Sequence, residues 1–110
     1  MKLFMDLMDK YFKGCSPYIY SYTYDIDKRE VLLTCAKSTY EWVPFKQLKF
    51  IDVLSFSEEI IDKEDAYDDS LIDSVIGIDR DPNGVYFIAT EKREHRLTVG
   101  AKPIGQIISE

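Results

Sequence analysis

The sequence is poor in cysteine and histidine, with two cysteines and one histidine in 110 residues. Small proteins held together by disulfides have more cysteines, and many catalytic sites use histidine. Two cysteines are too few for a disulfide framework, so we expect Cys15 and Cys35 to be free, buried thiols. The chain contains no glycine-rich phosphate loop, no Cys-x-x-Cys and no His-Glu-x-x-His. His95 stands among charged residues and is predicted to be a solvated residue at a strand edge. We therefore expect neither an enzyme nor a bound cofactor or metal.

Long apolar runs and an excess of basic residues are also absent. No apolar stretch approaches the roughly 18 residues of a membrane span. Asp6 and Asp9 interrupt the N-terminal stretch and no small-residue cleavage site follows, so the chain is expected to lack a signal peptide and to be cytoplasmic. The net charge of −6 and the pI near 4.8 argue against binding to a nucleic-acid backbone or an anionic membrane.

What the sequence does have is material for a core. Its hydrophobic content is 45%, and eight tyrosines, six phenylalanines and one tryptophan supply large apolar area. A chain of this length and composition predicts one globular domain over residues 1–110, without need of metal or disulfide staples.

The periodicity predicts an α+β fold in which an antiparallel sheet of about six strands is covered on one face by an N-terminal amphipathic helix. Apolar residues at spacings of three and four predict that helix over residues 2–13, with Gly14 as its stop. A short C-terminal tail is expected to pack back through Ile104, Ile107 and Ile108. The predicted strands are residues 18–24, 30–36, 48–56 (a central, covered strand), 71–79, 85–90 and 95–99, the last three forming an antiparallel meander.

The first predicted strand alternates tyrosine with smaller residues. Strict alternation would place Tyr18, Tyr20, Tyr22 and Tyr24 on one face. Such a face suggests a binding surface, because tyrosine gives rigid contact area at low entropy cost. The alternative is a row of half-buried tyrosines with their hydroxyl groups at the rim of the core.

The charge is concentrated in one segment. Residues 57–81 hold ten acids and two bases, a net −8, whereas the remaining residues sum to +2. Residues 57–70 lack glycine and proline but have little apolar period, which predicts a long loop. The segment is either a solvated loop or an electrostatic docking surface for a basic protein. We favour docking, with these predicted partner-binding residues: Glu58, Glu59, Asp62, Glu64, Asp65, Tyr67, Asp68, Asp69 and Asp73.

One pattern resembles a metal site. Asp79-x-Asp81-x-Asn83-Gly84 reproduces the first half of a calcium loop, in which alternating oxygen ligands precede a glycine. The twelfth position should be glutamate, but it is Thr90. A hairpin turn explains the same residues without a metal, and we prefer that interpretation.

Parts of the chain resemble a known family. The segments are 48–59 (LKFIDVLSFSEE), 76–79 (IGID), 86–94 (YFIATEKRE) and 102–103 (KP). With the acidic segment between them, they resemble small bacterial immunity proteins of polymorphic or contact-dependent growth inhibition toxin systems. The resemblance implies a cytoplasmic, non-enzymatic protein that binds a toxin domain, often a basic nuclease, and blocks its active site or substrate path. The family has no fixed inhibitory residues, so none is carried over.

We therefore predict an immunity protein that neutralises a cognate toxin through the acidic segment, with no nucleic-acid or membrane partner. One alternative is a phage or mobile-element inhibitor that mimics DNA. Another is a small metal-binding or enzymatic domain that uses Asp79, Asp81 and Asn83. The sequence does not indicate an oligomeric state.

Overall fold

The computed structural model describes residues 5–60 and 72–108, and the side chains of residues 7–60 and 72–108. Within them the backbone forms nine strands and one helix. In chain order these are β1 (Met5–Asp6), α1 (Met8–Phe12), β2 (Ile19–Asp25), β3 (Glu30–Ala36), β4 (Pro44–Phe50), β5 (Val53–Ile60), β6 (Val75–Arg80), β7 (Val85–Thr90), β8 (Arg93–Val99) and β9 (Ile104–Ile107).

The strands form two antiparallel sheets that face each other across the core. The strand order is β1-β6-β7-β8-β5 in one sheet and β2-β3-β4-β9 in the other. Their inner faces meet through side chains such as Phe50 and Tyr86, whose ring centroids are 5.3 Å apart. The predicted meander is confirmed as β6-β7-β8.

The core follows from the period-two pattern of each strand. Alternate residues of β3, β4, β7 and β8 point inward, and most of them are buried. Each large apolar side chain buried in this way contributes roughly 1.5–3 kcal/mol. The fully buried apolar side chains with the largest volumes are Phe50, Leu33, Leu48, Ile78, Ile88 and Leu97.

The expected fold, a single sheet of about six strands covered by a helix, is wrong. The predicted third strand, residues 48–56, is divided at Asp52, which has a φ of 53°. Aspartate tolerates this left-handed conformation better than most residues do. The Asp52 carbonyl accepts from Gly100 N (2.8 Å), and Val53 N donates to the Arg29 carbonyl (3.0 Å). The chain therefore leaves one sheet after β4 and enters the other as β5, and Leu54 points outward, 57% exposed.

The predicted helix is also shorter than expected. Met5 and Asp6 pair with Arg80 and Asp79 of β6, and Leu7 N donates to the Ile78 carbonyl. Sheet pairing thus takes up backbone groups that a helix over residues 2–13 would have used. The remaining helix, α1, packs against β4 and β6, one strand from each sheet. It closes an open side of the sandwich instead of covering a sheet face.

The tyrosine row does not lie on one face. A bulge between Ile19 and Ser21 shifts the alternation of β2. Tyr22 and Tyr24 pack against the core, whereas Tyr20 lies outside, with its ring centroid 5.9 Å from that of Trp42. The row of four tyrosines, expected as a binding face or as a half-buried rim, is therefore absent.

Other expectations concern the C-terminal tail and the thiols. Residues Ile104, Ile107 and Ile108 do not pack back, since β9 joins the edge of β4 by backbone pairing and leaves these side chains 47%, 57% and 43% exposed.

Cys15 and Cys35 are free, as predicted, although Cys15 is only half-buried. Burial raises the pKa of Cys35 to about 12. Within residues 5–60 and 72–108, no helix is long and apolar enough to cross a membrane.

The contact between α1 and β9 gives a testable prediction. A Cβ added to Gly105 would lie 2.6 Å from Cδ1 of the Tyr11 ring, too close for the ring to stay in place. We expect Gly105→Ala to lower the free energy of unfolding by about 1–3 kcal/mol through overpacking. Urea denaturation measures the change.

Gly77→Ala is the matched control for this prediction. Gly77 also lies in a strand, but a Cβ there would meet only Asp79 Oδ2, at 3.9 Å. We expect this variant to be as stable as the wild type or slightly more stable. Equal effects of the two substitutions would contradict the placement of Tyr11 over Gly105.

Candidate functional site

A cleft opens where β2 of one sheet faces β5 and β8 of the other. Its volume is about 340 Å³. Apolar and aromatic side chains form one part of its wall and ionisable groups form the other. The lining residues are Ile19, Tyr22, Thr23, Tyr24, Phe56, Glu58, Asp73, Lys92, Arg93 and His95.

His95 is the centre of the cleft's polar wall. The antiparallel register places it directly opposite Glu58, and His95 Nε2 lies 2.7 Å from Glu58 Oε1. His95 Nδ1 lies 2.5 Å from the Tyr22 hydroxyl oxygen. An ionised carboxylate can only accept, so Nε2 carries the proton and donates to Glu58. In the neutral ring Nδ1 then accepts from the Tyr22 hydroxyl, which gives a continuous hydrogen-bonded chain from β2 to β5.

The expectation that His95 is solvated is wrong, because its exposed fraction is only 5%. The ring lies between aromatic neighbours, with centroid distances of 4.9 Å to Tyr22 and 4.7 Å to Phe56. The signal was present in the sequence, because residue 95 has the same parity on the strand as the apolar Leu97 and Val99. The charged residues around the histidine obscured that alternation.

Burial and hydrogen bonding shift the pKa values of this network. Burial lowers the pKa of His95 below its usual 6.5, and the hydrogen bond to Glu58 offsets part of that effect. The same hydrogen bond lowers the pKa of Glu58, with a further contribution from the Arg93 charge. Burial, followed by the Glu58 charge, raises the pKa of Tyr22. At neutral pH the network thus holds a protonated tyrosine, a neutral histidine and an ionised glutamate.

This arrangement positions a carboxylate. Tyr22 keeps its proton, and the Nδ1 lone pair of His95 is already occupied, so neither group is poised to act as a nucleophile or base. Glu58 Oε1 accepts from His95 and from Arg93 Nη1, the latter at 3.2 Å. The Glu58 side chain is nevertheless 38% exposed. The buried chain therefore fixes the carboxylate of Glu58 at the rim of the cleft, where it stays accessible.

Two acidic residues of the acidic segment meet at this cleft. Glu58 lies near the end of β5, and Asp73 lies just before β6. Both line the cleft. Asp73 is fixed by its backbone, because its carbonyl accepts from Ile19 N of β2 at 3.0 Å. Two acidic residues that are distant in the sequence are therefore brought together at one place.

Glu59 lies on the other face of β5. Its register partner on β8 is Glu94, and both line a shallow groove with Ser57 and Arg96. The predicted loop over 57–70 is wrong at its start, since β5 continues to Ile60. Six predicted partner-binding residues lie outside the described residues: Asp62, Glu64, Asp65, Tyr67, Asp68 and Asp69.

The calcium-like sequence forms a hairpin turn. Asp81 Oδ1 accepts from Asn83 N and from Val85 N, each at 2.9 Å. Gly84 takes a φ of 86°, which the turn requires and which glycine adopts without strain. Within residues 5–60 and 72–108, no group of three or more histidine, cysteine, aspartate or glutamate side chains is arranged to hold a metal ion. The interpretation as a turn is confirmed.

Comparison with known proteins gives no assignment: no protein-family model matches the chain, and neither a curated protein nor a solved structure matches it.

The buried network predicts how His95 titrates. Because it is the one histidine in the chain, its imidazole signals in an NMR pH titration need no assignment. We expect a midpoint below 6.5, since burial disfavours the charged ring. Glu58→Gln removes the carboxylate that favours the imidazolium and should lower the midpoint further. A midpoint at or above 6.5, or an increase in the Glu58→Gln variant, would contradict the assignment of a neutral, buried ring.

The same shift predicts a pH dependence of stability. A depressed histidine pKa means that the unfolded chain binds more protons as the pH falls below about 6.5, so the free energy of unfolding decreases there. Ionised Glu58 also contributes to the free energy of unfolding. That contribution is lost only at lower pH, because the pKa of Glu58 in the folded protein lies below 4.5. Urea denaturation between neutral pH and pH 5 should show the decrease in the wild type and a flatter profile in His95→Gln. Parallel profiles would remove His95 as the cause.

Proposed function

We propose that the protein binds a basic protein partner through its acidic segment and inhibits it. The binding surface comprises Glu58, Glu59 and Asp73, together with the acidic residues between them in the sequence. The role proposed is that of an immunity protein, which neutralises a cognate toxin in the cytoplasm by covering its active site. This is the role implied by the resemblance of residues 48–103 to that family.

The observation that carries the proposal is the convergence of Glu58 and Asp73 on one cleft. A solvated loop needs no particular position for its ends. Here the carboxylate at one end is fixed by Tyr22 and His95, and the backbone at the other end is paired with Ile19. A fixed carboxylate loses less side-chain entropy when it binds a cation, which favours affinity.

The outer face of β5 supports the same proposal. Glu59 and Glu94 are directly opposite each other, and like charges in that arrangement destabilise a sheet. Arg96 offsets part of this, because its Nε lies 3.6 Å from Glu94 Oε1. Within the described part of the chain, Glu59 has no ion pair of its own. A lysine or arginine of a partner would relieve the repulsion and form a charge-assisted hydrogen bond.

The proposed mechanism of inhibition combines electrostatic attraction of the partner with exclusion of substrate from the partner's active site. An acidic surface increases the rate of encounter with a basic partner over long distances, and contacts around the cleft then set the lifetime of the complex. If the partner is a nuclease, the carboxylates of this surface occupy the positions of substrate phosphates. Inhibition then requires no chemical step in this protein.

The first experiment is affinity capture by the tagged protein from its native host at low salt, followed by reconstitution with the purified captured protein. A stoichiometric complex that abolishes a toxic activity supports the proposal. Capture of a restriction or CRISPR component instead would indicate the DNA-mimic alternative. A captured protein that keeps its full activity in the complex would overturn the inhibitory role.

Charge reversal in the reconstituted complex tests the surface itself. We expect Glu59→Lys to slow association about tenfold at low ionic strength, because it removes and reverses part of the attracting field. Asp27→Lys makes the same change of charge at an exposed turn far along the chain and is the matched control. Surface plasmon resonance over a range of salt concentrations measures both rates. Indistinguishable association rates for the two variants would place the binding surface elsewhere.

A further inference from the structure

A second cleft has a volume of about 570 Å³ and a cationic lining. It lies between α1, the turn that joins β6 to β7, and the residues that follow β8. Three cationic side chains line it, namely Lys10, Arg80 and Lys102, and none of its lining residues is an aspartate or glutamate. Its volume is within the range of about 300–1,000 Å³ that is typical of small-molecule sites.

Such a cleft is unexpected in a chain with a net charge of −6. All three cationic residues are exposed, and none forms an ion pair within residues 5–60 and 72–108. Cations gathered in one concave site repel each other, and its walls concentrate their field. A bound anion would relieve that repulsion.

Aromatic rings hold two of the cations in place. Lys10 Nζ lies 5.3 Å from the centre of the Tyr11 ring, and Arg80 Cζ lies 6.0 Å from the centre of the Tyr86 ring. Contacts of this kind orient a cation without neutralising it. The guanidinium lies beside Gly84, where an added Cβ would be in ordinary contact with Arg80 Nη2, at 3.5 Å. The cleft thus offers oriented donors beside aromatic surface.

We propose that this cleft binds a small phosphorylated organic molecule of nucleotide size. A phosphate monoester carries nearly two negative charges at neutral pH, and three cations match it better than they match a single carboxylate. The planar fork of Arg80 can donate two parallel hydrogen bonds to phosphate oxygens. Tyr11, half-buried in the wall, provides a surface for the ring of the ligand. The proposal is independent of the acidic surface and its partner.

The proposed ligand is small for an electrostatic reason. A long nucleic acid extends beyond the cleft and meets the negative field of the whole protein. A mononucleotide stays within about one Debye length, roughly 8 Å at physiological ionic strength, of the three cations. The local charge therefore decides the binding of the small anion.

The test uses the full chain, labelled with ¹⁵N and titrated with AMP, adenosine and inorganic phosphate at one ionic strength. We expect AMP to perturb the amides of Gly84, Tyr86 and Gly100, which line the cleft, and to bind more tightly than either fragment. Equal affinity for AMP and adenosine would overturn the proposal, since the phosphate would then contribute nothing. Shifts spread evenly over the surface, or no shifts at millimolar AMP, would also overturn it.

Charge-neutralising variants identify the cations responsible. We expect Arg80→Gln and Lys102→Gln each to raise the Kd for AMP about tenfold, the effect of losing one charge-assisted hydrogen bond. Lys28→Gln removes the same charge from an exposed turn that does not line the cleft, and it should leave the Kd unchanged. An equal loss of affinity in all three variants would mean that net charge alone is responsible, and would contradict a specific site.

Discussion

The hydrogen-bonded chain from Tyr22 through His95 to Glu58 joins the two sheets across the edge of the sandwich. Apolar packing, which is not directional, and a few backbone hydrogen bonds, such as Val53 N to the Arg29 carbonyl, also hold the sheets together. Here a hydroxyl, an imidazole and a carboxylate meet in fixed geometry at a histidine residue that is 5% exposed. A buried polar group without a partner costs about 1–3 kcal/mol, so the Tyr22 hydroxyl and the His95 ring each require the other.

The same chain connects the fold to the proposed function. It fixes one carboxylate at the start of the most acidic part of the sequence, while pairing of β2 with residue 73 fixes the other end. The protein also carries a cationic cleft beside α1, apart from the acidic residues of β5. We propose a separate class of ligand for each, a basic protein for the acidic surface and a small phosphorylated molecule for the cationic cleft.

Strand periodicity predicted most strands and the meander of β6, β7 and β8, because short connections and alternating residues leave few other arrangements. It could not predict the division into two sheets. That division depends on Asp52, one residue in a left-handed conformation, and the division of the tyrosine row depends on one bulge near Tyr20. Neither feature has a distinctive sequence signal, and each reverses the faces of the residues that follow it. The site was predicted only in part: Glu58 and Asp73 were named from charge, whereas Tyr22 and His95 required the register between strands.

The most direct test of the central claim, that the buried chain fastens the two sheets, is a double-mutant cycle on stability. Tyr22→Phe, His95→Leu and the double variant are compared with the wild type by urea denaturation. Each single substitution leaves a buried polar group unpaired, whereas the double variant removes both groups. The account predicts that the double variant loses about 1–3 kcal/mol less than the sum of the two single losses. Losses that add to within about 0.5 kcal/mol would show that the two side chains do not depend on each other and would contradict the account.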